Sequence, residues 1–284
     1  MLNINILKTC SEVDFFIAPQ FCNGSKQSPI NIVTASVQGN PNLTSFNFTG
    51  FDDNSTFRDI KNTGESVLVS LDDKKMTVQG GDLPGLYNTI QFHLHWGNGS
   101  SSPGSEHSVD GKQYPMELHI VNVHSKYNGN VMTFLISRKK PKPKSWISLT
   151  SFLSSIPNSG DEKVYIMNQT TLNSLIEGVD RTKYYRYQGS LTVPSCNEAV
   201  IWTVFKEPIK VSHDLINRFS TTVFFKDESP SVLNTNNFRG VQPSNGRVVT
   251  SQVVQTAATP AASSAATSTL SVITVLLLSS LCWL

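Results

Sequence analysis

The sequence predicts a mainly β protein, a single domain spanning roughly residues 20–246 of the 284-residue chain. Three observations carry that expectation. Short runs rich in Val, Ile, Phe and Thr recur and are separated by Gly, Asn, Asp and Pro, the pattern of strands joined by turns. Helical signals are weak and confined to three short windows. No internal repeat and no second linker interrupts the chain before Arg247.

The elements follow in order. Residues 66–71 and 89–96 read as strands, and Asp72-Asp73-Lys74-Lys75 behind the first reads as a hairpin turn. Residues 118–123, 131–136 and 200–205, dense in β-branched and aromatic side chains, are further strands. Residues 145–154, 168–178 and 213–219 each allow a short helix.

The most informative stretch lies in the second strand. His93 and His95 are two residues apart, so in a strand they project from one face while Phe92, Leu94 and Trp96 take the other. His119 sits in another strand, and an antiparallel neighbour could supply it as a third nitrogen. Three imidazoles on stiff strands fill three corners of a tetrahedral metal site and leave the fourth open. Bound histidines need their other ring nitrogen fixed by a hydrogen-bond partner, and Gln91 and Glu117 stand beside the ligands to serve. A histidine pair alone is more often structural; the third histidine and the carboxylates Glu106 and Glu117 favour the metal.

Composition narrows the setting. A net charge of +2 argues against nucleic acid as a partner, and the basic run over residues 138–144 is broken by prolines and reads as a solvated turn. From residue 248 to the end there is no charged residue. A Ser/Thr/Ala-rich spacer leads there into a hydrophobic tail, shorter than the roughly 20 apolar residues that span a bilayer. This is the pattern of a glycolipid (GPI) anchor signal, so residues 247–284 are read as spacer and signal, with attachment expected within 257–264. Six N-x-S/T sequons, at Asn23, Asn42, Asn47, Asn54, Asn98 and Asn168, fit an extracellular glycoprotein. Cys282 leaves with the tail, and Cys10, Cys22 and Cys196 remain. Residues 1–19 carry no clean signal peptide, since Lys8, Glu12 and Asp14 interrupt the apolar pieces; the expectation is a start that lies further upstream.

The chain resembles the α-type carbonic anhydrases over most of residues 22–242. Residues 27–32 (Gln-Ser-Pro-Ile-Asn-Ile) are similar to their N-terminal signature. Residues 91–97 (Gln-Phe-His-Leu-His-Trp-Gly) resemble the first zinc segment. Residues 104–111 (Gly-Ser-Glu-His-Ser-Val-Asp-Gly), with Tyr114 and 117–119 (Glu-Leu-His), resemble the second. Residues 189–196 (Gly-Ser-Leu-Thr-Val-Pro-Ser-Cys), running on through Glu198 to Trp202 and Thr203, resemble the loop over the metal. Asn237-Phe238-Arg239, with Gln242 and Pro243, resembles the closing segment. Five motifs in order make the match specific. A Cys22–Cys196 pair and the tail are most similar to the GPI-anchored extracellular members, the form IV and form XV type; Cys10 is left without a partner.

The resemblance implies a large twisted, mostly antiparallel central sheet with a few short helices, and a conical cavity ending at zinc. It implies His93, His95 and His119 as zinc ligands, with Gln91 and Glu117 fixing His93 and His119 and the Asn237 carbonyl fixing His95. Zinc among three neutral imidazoles lowers the pKa of bound water to about 7, a value established for carbonic anhydrases themselves. The implied reaction is attack of zinc-bound hydroxide on carbon dioxide to give bicarbonate and a proton. Thr192 would accept from the hydroxide and donate to Glu106, which can only accept if it is ionised. Val121, Leu191, Val200 and Trp202 would form the apolar shelf for carbon dioxide, with Val193 on the substrate side. His107 is then structural, and His124 and His213 have no role. The resemblance also implies bicarbonate transporters as partners, sulfonamide-type inhibitors as ligands, and the outer face of the plasma membrane as the location.

Several positions depart from the family. Its fast members carry a proton-shuttle histidine in Asn-x-Gly-His, where this chain reads Asn62-Thr63-Gly64-Glu65. A histidine takes and releases protons near neutrality, whereas an ordinary carboxylate, with a pKa of about 4.3, is a poor acceptor there. The expectation is that Glu65 impairs proton export while attack on carbon dioxide is intact. Val193 replaces a common second threonine, Thr133 falls where the shelf has Val, and the peptide after Pro194 is expected to be cis. The alternative is a catalytically silent cell-surface binding module on the same fold; three intact histidines with Thr192 and Glu106 weigh against it.

Overall fold

A computed structural model describes residues 21–140, 142–225 and 232–253. The expectations for residues 1–19, for Cys10, and for the spacer and tail from residue 254 onward lie outside these residues. The strands that matter for the site are β1 (Phe57–Asn62), β2 (Val67–Leu71), β3 (Tyr87–Trp96), β4 (Met116–Val123), β5 (Gly129–Arg138), β6 (Tyr184–Gly189) and β7 (Val200–Val211). They lie in the order β1-β2-β3-β4-β5-β7-β6 within a sheet of 12 strands among the described residues. Neighbours in this series are antiparallel except β5 and β7, which run parallel. The sheet is therefore mixed. A parallel pair cannot be closed by a tight turn, and between β5 and β7 the chain passes through α1 (Lys144–Ser151), α2 (Leu172–Leu175) and then β6.

The expected strands are present, and most are longer. The strand expected to end at residue 205 continues to Val211, because Pro208 is absorbed rather than avoided: the register jumps from Phe134↔Phe205 to Ile136↔Ile209. Proline has no N–H to give a ladder, and a bulge is where a strand tolerates that loss. β1 and β6 were not expected. Arg58, Asp59 and Lys61 dilute the apolar pattern of the first, Arg186 and Gln188 that of the second.

The turn at residues 72–75 is real but does not make a hairpin. Lys75 N–H and Met76 N–H both donate to Asp72 O. The next strand, Thr77–Gly80, then pairs with β3 through Thr77↔Asn88, as β2 does through Leu68↔His93. Both are antiparallel to one strand, so both run the same way, and the turn is a jog along one side of β3. Of the expected helices, the second shrinks to Leu172–Leu175, capped by Thr171 Oγ1 accepting from Ser174 N–H at 3.1 Å. The third, α3, runs His213–Thr222.

Two cores result. The larger packs Phe57, Phe92, Leu94 and Trp96 from the sheet with Trp146, Leu215 and Phe219 from α1 and α3. The smaller packs Ile30, Val131, Tyr187, Val200 and Trp202, with Val121 and Leu191 against it. A buried polar row crosses the sheet as well. Thr89 Oγ1 donates to Asn122 Oδ1 at 2.7 Å, and Asn122 Nδ2 to Asn130 Oδ1 at 3.2 Å. Asn130 Nδ2 and Arg186 Nη2 each donate to Thr203 Oγ1 at 3.1 Å. Most buried polar groups in proteins are paired in this way.

Cys22 and Cys196 are joined in a disulfide, their Cα atoms 4.9 Å apart. The peptide after Pro194 is cis. Packing continues past residue 246: Thr250–Ser251 pairs with β6 on one side and Gln38–Gly39 on the other. Among the described residues no helix is long and apolar enough to cross a membrane.

Candidate metal centre

Strand periodicity and register assemble the three histidines. His93 and His95 share a face of β3, and β4 lies antiparallel beside it with His119 directly opposite His93. One ring nitrogen from each of the three lies within 4.8 Å of the others. The ring centroids are 4.7–5.2 Å apart.

The partners decide which nitrogens are free. His95 Nδ1 is 2.8 Å from the Asn237 carbonyl, which can only accept, so Nδ1 carries the proton and Nε2 keeps its lone pair. His119 Nε2 is 2.7 Å from Glu117 Oε1, which as a carboxylate also only accepts, so Nδ1 is left free. His93 Nδ1 donates to Gln91 Oε1 at 2.9 Å and leaves Nε2. The three ligand partners expected from the sequence, Gln91, Glu117 and Asn237, are thus each in contact with the expected ring. His95 Nε2 is fully buried and has no hydrogen-bond partner among the described residues. An imidazole lone pair buried without a donor is costly. A cation suits it, and three neutral nitrogens of this kind are the donor set of an open zinc site.

Electrostatics agree. Burial, followed by the charge of the neighbouring imidazoles, holds the His93 pKa well below its ordinary value. The residue itself is half-buried. Burial also lowers His119, against the pull of Glu117. Both rings are therefore neutral at physiological pH, the form that binds a metal. Burial pushes Glu117 up, yet His107 and the hydrogen bonds from His107 and His119 outweigh it and hold this carboxyl well below the usual range.

His107 is held in a buried network beside the three histidines. Its Nδ1 donates to Glu117 Oε1 at 2.7 Å, its backbone N–H to Glu117 Oε2 at 2.8 Å, and its Nε2 lies 2.6 Å from the Tyr187 hydroxyl. His124 packs on Tyr87 and Tyr127, apart from the site. Glu106 is delivered by a loop that needs glycine: a Cβ on Gly97 or Gly104 would strike the backbone of Pro103 or Pro115. Glu106 Oε1 accepts from Arg239 N–H at 2.9 Å. Its Oε2 is buried without a hydrogen-bond partner among the described residues, 3.6 Å from His95 Nε2 and 3.8 Å from His119 Nε2.

The expected bond from Thr192 to Glu106 is not formed in this structure. Thr192 sits half-buried on the loop that Leu191 N–H closes onto Asn197 O at 3.0 Å, and Oε2 faces the imidazoles instead. Thr133 also differs from its expected place. Its side chain is buried, and its hydroxyl donates to Glu117 Oε1 at 2.7 Å. The apolar position is Val131, two residues earlier and directly opposite Val121. The register was the missing signal; once Thr133 pairs with His119, Val131 must pair with Val121. Val121, Leu191, Val200 and Trp202 meet as expected, whereas Val193 stays half-buried outside that cluster.

Glu65 is exposed, and its carbonyl accepts from Asn237 Nδ2 at 2.8 Å. Arg239, in the closing segment, reaches back across the fold. Its guanidinium holds Gln27 Oε1 and Ser28 O, both at 2.9 Å, pinning the N-terminal signature beside the site. The asparagines of all six sequons are exposed.

Comparison with known proteins agrees with this architecture. The family model for eukaryotic-type carbonic anhydrases matches residues 17–253. Carbonic anhydrase 4 of Rattus norvegicus is 38% identical over 245 residues, covering 80% of this chain and 76% of its own length. Carbonic anhydrase 4 of Mus musculus is 37% identical, covering 81% and 76%. Carbonic anhydrase 3 of Homo sapiens is 32% identical, covering 80% and 89%.

Proposed function

The chain belongs to the eukaryotic-type carbonic anhydrases, enzymes that interconvert carbon dioxide and bicarbonate, and we propose that it does so with zinc held by His93, His95 and His119 at the outer face of the cell membrane. The carrying observation is the buried, unpartnered His95 Nε2 beside two more imidazoles whose other nitrogens are already committed. Zinc bound there supplies a hydroxide nucleophile at neutral pH and stabilises charge on the reacting oxygen.

The chain's own residues do the rest. Gln91, Asn237 and Glu117 fix the tautomers, so three lone pairs converge without any proton having to leave at binding. Glu106 Oε2 is the acceptor to which a Thr192 hydroxyl turned inward would donate; the Thr192 oxygen would then accept from the nucleophile and aim it. Val121, Val131, Val200 and Trp202 give carbon dioxide an apolar wall and keep water off it. Glu65 stands at the rim, where a solvent-facing group would pass on the proton the reaction releases. The cell-surface setting rests on the GPI-like tail and the exposed sequon asparagines. Bicarbonate transporters as partners follow from the product, and sulfonamide-type inhibitors from the metal.

The test is stopped-flow carbon dioxide hydration with metal analysis on the same sample. One zinc per chain and hydration far above the buffer rate are expected, both lost in His95→Ala. Full zinc occupancy without hydration, with and without added imidazole, overturns the catalytic reading and leaves the silent binding module.

A further inference from the structure

Glu117 Oε1 receives three donors at once: His107 Nδ1–H, His119 Nε2–H and Thr133 Oγ–H, each at 2.7 Å. A carboxylate oxygen has two lone-pair sites, so three donors must share them. All four side chains are buried to 1% exposure or less, and no solvent can relieve the crowding. Thr133 is fixed there by register, directly opposite His119 on the neighbouring strand.

We propose that Thr133 is a positioning residue that draws Glu117 away from His119 and so loosens the grip of the three-histidine site on its metal. The inference rests on the zinc reading above. A carboxylate behind a ligand histidine makes that ring a better electron donor to the metal. Each further donor on the same oxygen takes a share of its charge and weakens the bonds already there. Glu117 does not need Thr133 to stay in place, because His107 holds it from both sides, backbone N–H on Oε2 and ring N–H on Oε1. Removing the threonine hydroxyl therefore removes a competitor of His119, not a support of Glu117. A stronger His119–Glu117 bond binds the metal more tightly.

The experiment follows release of zinc from the zinc-loaded full chain into excess chelator, for the wild type, Thr133→Val, Thr133→Ser and Thr133→Ala. Valine keeps the shape and removes the donor; serine keeps the donor. Release from Thr133→Val is expected to be about three- to tenfold slower, a part of the roughly 10- to 100-fold that outer partners of metal ligands command. Thr133→Ser should return to the wild-type rate, which a packing effect of the lost methyl would not do. The His119 Nε2–H proton resonance should move downfield in Thr133→Val and not in Thr133→Ser. Thr133→Ala provides the same comparison should the valine variant not fold. An unchanged or faster release in the donor-free variants overturns the proposal. A wild type that binds no zinc overturns instead the reading on which it rests.

Discussion

The Asn237 carbonyl accepts the Nδ1 proton of His95 at 2.8 Å, across 142 residues of chain. The same asparagine accepts from Trp96 N–H through Oδ1 at 2.7 Å and donates through Nδ2 to the carbonyl of Glu65 at 2.8 Å. One residue thus fixes the tautomer of His95, caps the end of its strand and ties down the turn at Glu65. Breaking that clasp would disturb the imidazole and the turn together.

The exposed turn at Glu65 offers a test of the proton path that the zinc reading requires. Glu65→His should raise carbon dioxide turnover near neutral pH, by a few-fold up to roughly 10²-fold, the lower reach of positioned acid–base groups. It should also blunt the stimulation by imidazole buffer. Turnover and buffer response that do not move in the variant would show that proton export is not the slow step.

The polar row through the sheet makes a separate demand. Asn130 bonds Asn122, Thr203 and the Ile201 carbonyl, all inside. Asn130→Ala strands these groups, and a buried polar group left unpaired costs about 1–3 kcal/mol. Urea unfolding should show a loss of about 2–3 kcal/mol with zinc stoichiometry unchanged. Asn130→Ala with wild-type stability would mean that water or repacking satisfies the row.

The disulfide links Cys22 to Cys196 across a sequence separation of 174, tying the segment before the N-terminal signature to the loop that carries Thr192. Cys22→Ser with Cys196→Ser should lower stability by roughly 2–5 kcal/mol. It should also free the Thr192 loop, visible as faster amide exchange over residues 191–197. Equal exchange in the two proteins would confine the bond's effect to global stability.

Acid should weaken the metal-free protein in a defined direction. His93 and His119 titrate below their ordinary 6.5 in the fold. Above that pH the rings are neutral folded or unfolded, and there is no effect. Below it the unfolded chain takes up protons that the native rings resist, so stability falls as pH falls. Urea midpoints of chelator-treated protein should drop from about pH 7 to 5, and less steeply in His93→Asn. Parallel profiles would place the acid sensitivity elsewhere.

Much of this protein is legible in its residues. The period of two in β3 puts His93 and His95 on one face in any strand, and side-chain chemistry alone nominates Gln91 and Glu117 beside them. Ordered motifs carry the family. What depends on partners brought from far along the chain is not legible. Pro208 reads as a strand end until β5 accommodates it in a bulge. The Asp72–Lys75 turn reads as a reversal until β3 is seen to pair with both flanking strands. Asp59 and Arg186 dilute the apolar pattern of β1 and β6, and only the fold brings Ser70 and Lys163 to the first and Thr203 to the second.

The residues alone put His93 and His95 on one face of a strand and set Gln91 beside them, because strand alternation is local. The register between β4 and β5 came from packing. A shift of two residues between β4 and β5 keeps every side chain on its face, so no pattern of polarity distinguishes the two alignments. That shift separates Thr133 on the carbon dioxide wall from Thr133 on Glu117, and the packed sheet chose the second.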